Sequence, residues 1–231
     1  HRYETSWNVK QDRLKKGARL QDPESPANVL ATLVNMEDDL TIFGTHRLCY
    51  DVPNFDLGKL LSAAKDVFDV REYAFADAAS EKTARARLLR DLAAEGASKP
   101  CFGVAARDAK AHYLFVVRDV KAAAAKVKAD RSEDWRSLDV CILHTLILEE
   151  LLGIGPKQLA DEKNVEFLRS ADEAVEKARA SRPYQVAFLV NPVRMEQIKR
   201  VVKNGEKFTQ KATDFYPKLL TGLLLCKLNM D

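Results

Sequence analysis

Lys211, Thr213, Asp214, Tyr216 and Lys218 crowd into one short stretch and combine two cations, hydroxyl groups and a carboxylate. Ammonium and hydroxyl groups donate to phosphate oxygens, so this set suits a phosphorylated ligand or a metal-bound nucleotide. The residues belong to Lys207 to Leu223 (K-F-T-Q-K-A-T-D-F-Y-P-K-L-L-T-G-L), which has neither helical nor strand periodicity. A buried loop this polar would leave groups unpaired, so it belongs at a surface or along a cleft. The alternative is a lysine-rich solvated turn ahead of a terminal strand, Thr221 to Leu228. No Walker glycine pattern occurs, which excludes a P-loop.

Three other places carry candidate chemistry. Thr45-His46-Arg47 follows Gly44 inside an expected strand and would present an imidazole and a guanidinium to an anion, or simply form the outer face of a hairpin. Asn191-Pro192-Val193-Arg194 joins a strand to a helix, where amides and the helix dipole favour anionic ligands. Asn191 would serve equally as an N-cap with Pro192 at the first helical position. His144 falls in the middle of an apolar helix, with Glu149 and Glu150 beyond it. It reads as a satisfied core residue, or as a general base if that helix lines a cleft.

These residues need a scaffold, and composition bounds it. The chain has 231 residues, 46% of them hydrophobic, enough for one large domain or two small ones. Its 37 basic and 34 acidic residues leave a net charge of +3, too balanced to argue for nucleic acid. Cys49, Cys101, Cys141 and Cys226 stand singly in apolar runs, which speaks for buried thiols in a reducing compartment and against a metal site or disulfide framework. No apolar run reaches the roughly 18 residues that span a bilayer, so a soluble cytoplasmic protein is expected. The chain opens H-R-Y-E-T-S-W without a methionine, as if inside a helix, and reads as part of a longer protein.

Periodicity predicts an amphipathic helix over Arg2 to Arg19, then a hairpin of Val29 to Met36 and Leu40 to Tyr50. A helix over Leu57 to Phe68, a strand over Val70 to Phe75 and a helix over Glu81 to Glu95 follow, the last closed by Gly96. Cys101 to Ala106 and His112 to Arg118 form a second hairpin around Asp108. This order implies an antiparallel sheet with helices on one face. After an exposed helix at Val120 to Ala129, Ser137 to Leu152 is apolar nearly all round and reads as a buried helix. Strand Val165 to Leu168, helix Asp172 to Ala180, strand Gln185 to Val190 and helix Met195 to Lys203 then alternate. The fold class is therefore α+β or mixed α/β, with an α+β subdomain over 1–130 and an α/β subdomain over 131–231.

Several motifs occur in series: His1-Arg2-Tyr3-Glu4-Thr5, Val34-Asn35-Met36-Glu37-Asp38, Thr45-His46-Arg47-Leu48, Trp135-Arg136-Ser137-Leu138-Asp139-Val140 and Phe188-Leu189-Val190-Asn191-Pro192. Gln210-Lys211 and Phe215-Tyr216-Pro217-Lys218-Leu219-Leu220-Thr221-Gly222-Leu223 complete them. Together they resemble the uncharacterised prokaryotic family known as domain of unknown function family 1015, along essentially the whole chain. The chain departs from that family at Gly44, where proline is usual, at Phe208-Thr209, Ala212 and Asp214. The family's Asp-Gly-His-His-Arg-Tyr segment, of which His1-Arg2-Tyr3 is the end, is in turn similar to a turn of the ParB and sulfiredoxin-like superfamily. Some members of that superfamily bind nucleotide and phosphorylate free serine, which would set His1 and Arg2 at a nucleotide phosphate.

The leading functional expectation is a nucleotide- or phosphate-binding protein with kinase-like phosphoryl transfer, its cofactor a nucleotide with magnesium. Arg2, Arg47, Asn191, Arg194, Lys211, Thr213, Tyr216 and Lys218 would contact the anion, with His1, His46 and Asp214 at the chemistry. Phosphoryl transfer rests on positioned charge more than on covalent chemistry. The alternative is a non-catalytic interaction or regulatory module, with the 207–223 loop as a flat docking surface. No membrane partner is expected, and nucleic acid ranks last.

Overall fold

The structure is a computed structural model that describes Asn35 and residues 40–218, apart from 128, 129, 181 and 210. The expected helix at Arg2 to Arg19, nearly all of the strand at Val29 to Met36 and the terminal strand lie outside the described residues. The chain divides into two units, His1–Leu40 with Pro217–Asp231, and Thr41–Tyr216. Nearly all the described residues belong to the second unit.

At the centre of that unit is a six-stranded antiparallel sheet. In chain order the strands are β2 (His46–Tyr50), β3 (Phe68–Ala74), β4 (Cys101–Ala106), β5 (Ala111–Val117), β6 (Val165–Leu168) and β7 (Tyr184–Val190), preceded by the two-residue β1 (Thr41–Ile42). They line up as β3-β5-β4-β7-β2-β6. The sheet thus takes strands from both sides of residue 131, so the change in sequence pattern there marks no break in it. The alternation after residue 131 yields antiparallel pairs, β2 lying between β6 and β7. The fold is α+β.

Helices cover both faces of this sheet, rather than one. The central strands C-F-G-V-A-A and Y-Q-V-A-F-L-V are apolar on both sides, so each face has to be buried. Leu48, Cys101, Ala105, Leu114, Val116, Ala187 and Leu189 pack against α2 (Ala78–Gly96) and α7 (Ala171–Ala180) through Ala84, Leu88, Leu92, Ala174, Val175 and Ala178. Their strand neighbours Cys49, Phe102, Val104, Phe115, Val117, Val186 and Phe188 face the other way. That second layer includes α1 (Leu57–Ala64), α3 (Val120–Lys126), the segment from Leu138 to Leu152 and α8 (Met195–Lys203).

Two differences from the sequence expectation shape the site. Leu40 to Tyr50 is not one strand: β1 pairs with β8 (Phe215–Tyr216), whereas β2 joins the main sheet. The break falls at Gly44, where a Cβ would come within 2.4 Å of the Val190 carbonyl oxygen. A side chain there would push the end of β7 aside. The expected helix over Ser137 to Leu152 is also not uniform. It begins as α5 (Asp139–Ile142) and continues as a π-helix over Leu143–Glu149. A π-turn is wider than an α-turn and is found preferentially at functional sites. Here it leaves His144 and Thr145 half-buried amid otherwise buried neighbours.

Candidate functional site

Arg47 is a guanidinium in the core. It is 1% exposed and stands on the sheet face shared with Cys49. Burial pushes its pKa down to about 10, so it stays charged at neutral pH. Its Nε donates to His144 Nε2 at 3.2 Å, one terminal nitrogen donates to the Thr45 carbonyl, and the other reaches the Lys211 carbonyl at 3.4 Å. The guanidinium carbon lies 5.3 Å from the centroid of Phe167, directly across from Arg47 in the β2–β6 ladder. These contacts satisfy donors, and the ring attracts the charge. Among the described residues no carboxylate pairs with Arg47. An uncompensated charge in a protein interior costs several kcal/mol.

Beside it lies a cavity of about 340 Å³, within the range of small-molecule sites. Trp135 on α4 (Glu133–Arg136), Phe167 on β6, Val127, and Leu159 on α6 (Pro156–Ala160) give it apolar walls. His144 and Thr145 from the π-helix and Thr209 supply polar atoms. His144 is held neutral, its pKa driven well below the ordinary value by burial and then by the Arg47 charge. Since Nε2 accepts from Arg47, the proton sits on Nδ1, and no acceptor among the described residues takes it. The Thr209 hydroxyl is buried without a partner. Two donors on the cavity wall therefore await an acceptor. Cys141 also lines the cavity, but burial raises its thiol pKa, so it contributes a neutral surface.

The candidate residues from the sequence scatter around this site. His46 and Arg47 do not act together, because adjacent strand positions face opposite sides of the sheet. His46 Nδ1 accepts the Val190 amide at 3.1 Å, and burial followed by the Arg47 charge lowers its pKa to about 4. It is a structural acceptor. Lys211 reaches the site's edge, its Nζ 5.8 Å from the Phe167 centroid while pairing with Glu162 at 2.9 Å. Asp214 is engaged by Arg169. Thr213 is half-buried, and Tyr216 is exposed, packing edge-on against Phe43 at 5.9 Å. Lys218 is exposed in the other unit, and His1 and Arg2 lie outside the described residues.

Asn191 and Arg194 serve the end of α2 instead. Asn191 Nδ2 donates to the Leu92 carbonyl at 2.9 Å, and Arg194 donates to the Gly96 and Ala97 carbonyls at 2.7 and 2.6 Å. The Gly96 and Ala97 carbonyls are helix-terminal acceptors that lack intrahelical partners, and Leu92 lies one turn earlier. Asn191 is not an N-cap: α8 starts after Arg194, whose amide donates to the Gln197 side chain. A Cβ on Gly96 would fall 1.9 Å from Asn191 Nδ2, so Gly96→Ala should break this clasp. We expect a loss of about 1–3 kcal/mol in thermal or urea unfolding; an unchanged midpoint would show that Asn191 can retreat freely.

Sequence reasoning missed Trp135, Phe167 and Thr209, and weighed His144 without choosing it. A lone histidine in an apolar helix was the available signal for the last. Nothing local marks Phe167 or Thr209. The carboxylate on this wall is Glu149, and no cluster of three His, Cys, Asp or Glu able to hold a metal forms among the described residues. Among those residues, too, no helix is long and apolar enough to cross a membrane.

Neither the curated proteins nor the solved structures contain a match to this chain. The model of the family described as protein of unknown function (DUF1015) matches residues 1–141, more than half the length, so the chain belongs to that family.

Proposed function

We propose that this protein binds a small anionic molecule in the cavity beside Arg47. The observation that carries the reading is a fully buried guanidinium without a carboxylate partner among the described residues, next to a cavity bearing two unpartnered donors. An anion there would compensate the charge and accept from His144 Nδ1 and Thr209 Oγ1. Phosphorylated molecules and nucleotides belong to this class of ligand, and any kinase-like transfer would have to be built on such binding. The interaction-module alternative expects segment 207–218 to be flat and exposed; Thr209 on the cavity wall and the burial of Ala212 favour the ligand reading. The buried free thiols of Cys49, Cys101 and Cys141 support placing the protein in the cytoplasm.

The test is calorimetric titration of the chain with inorganic phosphate, AMP, ATP and simple carboxylates, repeated on Arg47→Met. Arg47 reaches the cavity through His144, so removing its charge should weaken binding of the best anion several-fold, by a weaker Nδ1–H donor and a lost nearby cation. Anion binding that survives both Arg47→Met and Thr209→Val unchanged would sink the assignment.

A further inference from the structure

The wall chemistry goes further than "anion" and selects among anions, on the assumption that the cavity is the binding site. We infer that the ligand is an organic monocarboxylate with an apolar, ring-sized body, and that Glu149 excludes more highly charged molecules.

The cation supply comes first. A phosphate monoester carries about two charges and a nucleoside triphosphate more, and protein sites meet them with several cations or a metal. Several cations of this unit are engaged elsewhere. Lys211 pairs with Glu162, Arg169 with Asp214, Arg200 with Asp134, and Arg194 closes the end of α2. Arg47 is the fully buried cation beside the cavity, and it brings one charge. Burying a second negative charge against it would leave that charge uncompensated.

The donors match the same count. Arg47 does not line the larger cavity; His144 stands between. The guanidinium Nε–H fixes the imidazole tautomer and polarises it, so that Nδ1–H becomes a stronger donor. Together with the hydroxyls of Thr145 and Thr209, this offers neutral donors backed by one cation, which is suited to the two oxygens of a carboxylate.

The rest of the wall describes the rest of the ligand. Trp135, Phe167, Val127, Leu159 and Pro156 offer ring faces and aliphatic surface. Glu149, exposed and on the same wall, follows His144 by five residues, close to one turn of the π-helix. Its charge tolerates a neutral body and repels additional phosphate groups.

The experiment compares benzoate, phenylacetate and indole-3-acetate with inorganic phosphate, AMP and ATP–magnesium, by calorimetric titration of the full chain. At least one of the three carboxylates should bind at least tenfold more tightly than AMP. Thr209→Val, which deletes a hydroxyl without a partner and so spares the fold, should weaken that binding several-fold. Glu149→Gln should improve AMP by about threefold, the effect of one screened charge at this range, and improve the singly charged carboxylate by less. If AMP or phosphate binds as well as the carboxylates and Arg47→Met abolishes it, the ligand class is wrong and the site stands. If no probe binds, or binding ignores Arg47, Thr209 and Glu149, the site falls and the class with it.

Discussion

Glu81→Ala should unfold this protein more readily than any other single change on the face of the sheet opposite the cavity, by about 3–5 kcal/mol. Glu81 lies in the first turns of α2 and is 3% exposed. One carboxylate oxygen accepts from His112 Nε2 at 2.7 Å and from Arg85 Nε at 3.1 Å, and lies 3.4 Å from Arg179. The other accepts from Arg85 at 2.8 Å. One side chain thereby joins α2, β5 and α7. Burial alone would raise its pKa, but the hydrogen bonds from Arg85 and His112, with the charges of Arg85 and Arg179, hold it below the ordinary carboxylate range. Removing it leaves the largely buried Arg85 with the exposed carboxylates of Asp172 and Glu176 alone and the His112 proton without its acceptor, and the loss includes desolvation as well as the bonds. Glu81→Gln preserves shape and one acceptor and should cost less. Urea unfolding of both variants decides the matter: a loss under 1 kcal/mol for alanine would mean that water enters and replaces the carboxylate.

Local structure was largely legible in the sequence, and the site was not. Cys101–Ala106, Val165–Leu168 and Met195–Lys203 fall where residue pattern and flanking turns put them, because propensity and burial agree there. Pairing is a different kind of information. Nothing near His46–Tyr50 announces that it slots between strands more than a hundred residues later. The cavity depends on that pairing, since it brings Phe167 across from Arg47 and the π-helix beside both. Its walls come from positions 127, 135, 144, 167 and 209, which share no local pattern. The polar 207–218 stretch attracted attention for its lysines, whereas its part in the site is the hydroxyl of Thr209 and the carbonyl of Lys211. The opposite facings of His46 and Arg47 follow from strand periodicity, so that separation was readable in advance. The π-turn was not: no residue between Leu143 and Glu149 forces it.

Acid should destabilise this unit well above the pH at which ordinary carboxylates titrate. The three histidines of the described chain, His46, His112 and His144, are all kept neutral, with burial the largest cause in each case. A histidine whose folded pKa lies below its unfolded value takes up its proton more readily in the unfolded chain, so stability is lost as pH falls below about 6.5. For His46, lowered to about 4, the loss by pH 5 is about 2 kcal/mol. Asp139 works the other way. Burial raises its carboxyl to about 7, so the folded state binds the proton first, and the unit gains stability as pH falls from 7 towards 4. That gain is of similar size to the His46 loss, leaving His112 and His144 to set the balance. Below pH 5 the depressed carboxylate of Glu81 adds a further loss. Urea unfolding at pH 7.5, 6 and 5 should therefore show stability falling over that span. Asp139→Asn, which removes the opposing group, should fall more steeply than the parent. Stability that is level or rises towards pH 5 in both proteins would mean that the buried histidines find proton acceptors in the folded state, and the pairing of Arg47 with a neutral His144, on which the cavity's donor depends, would go with them.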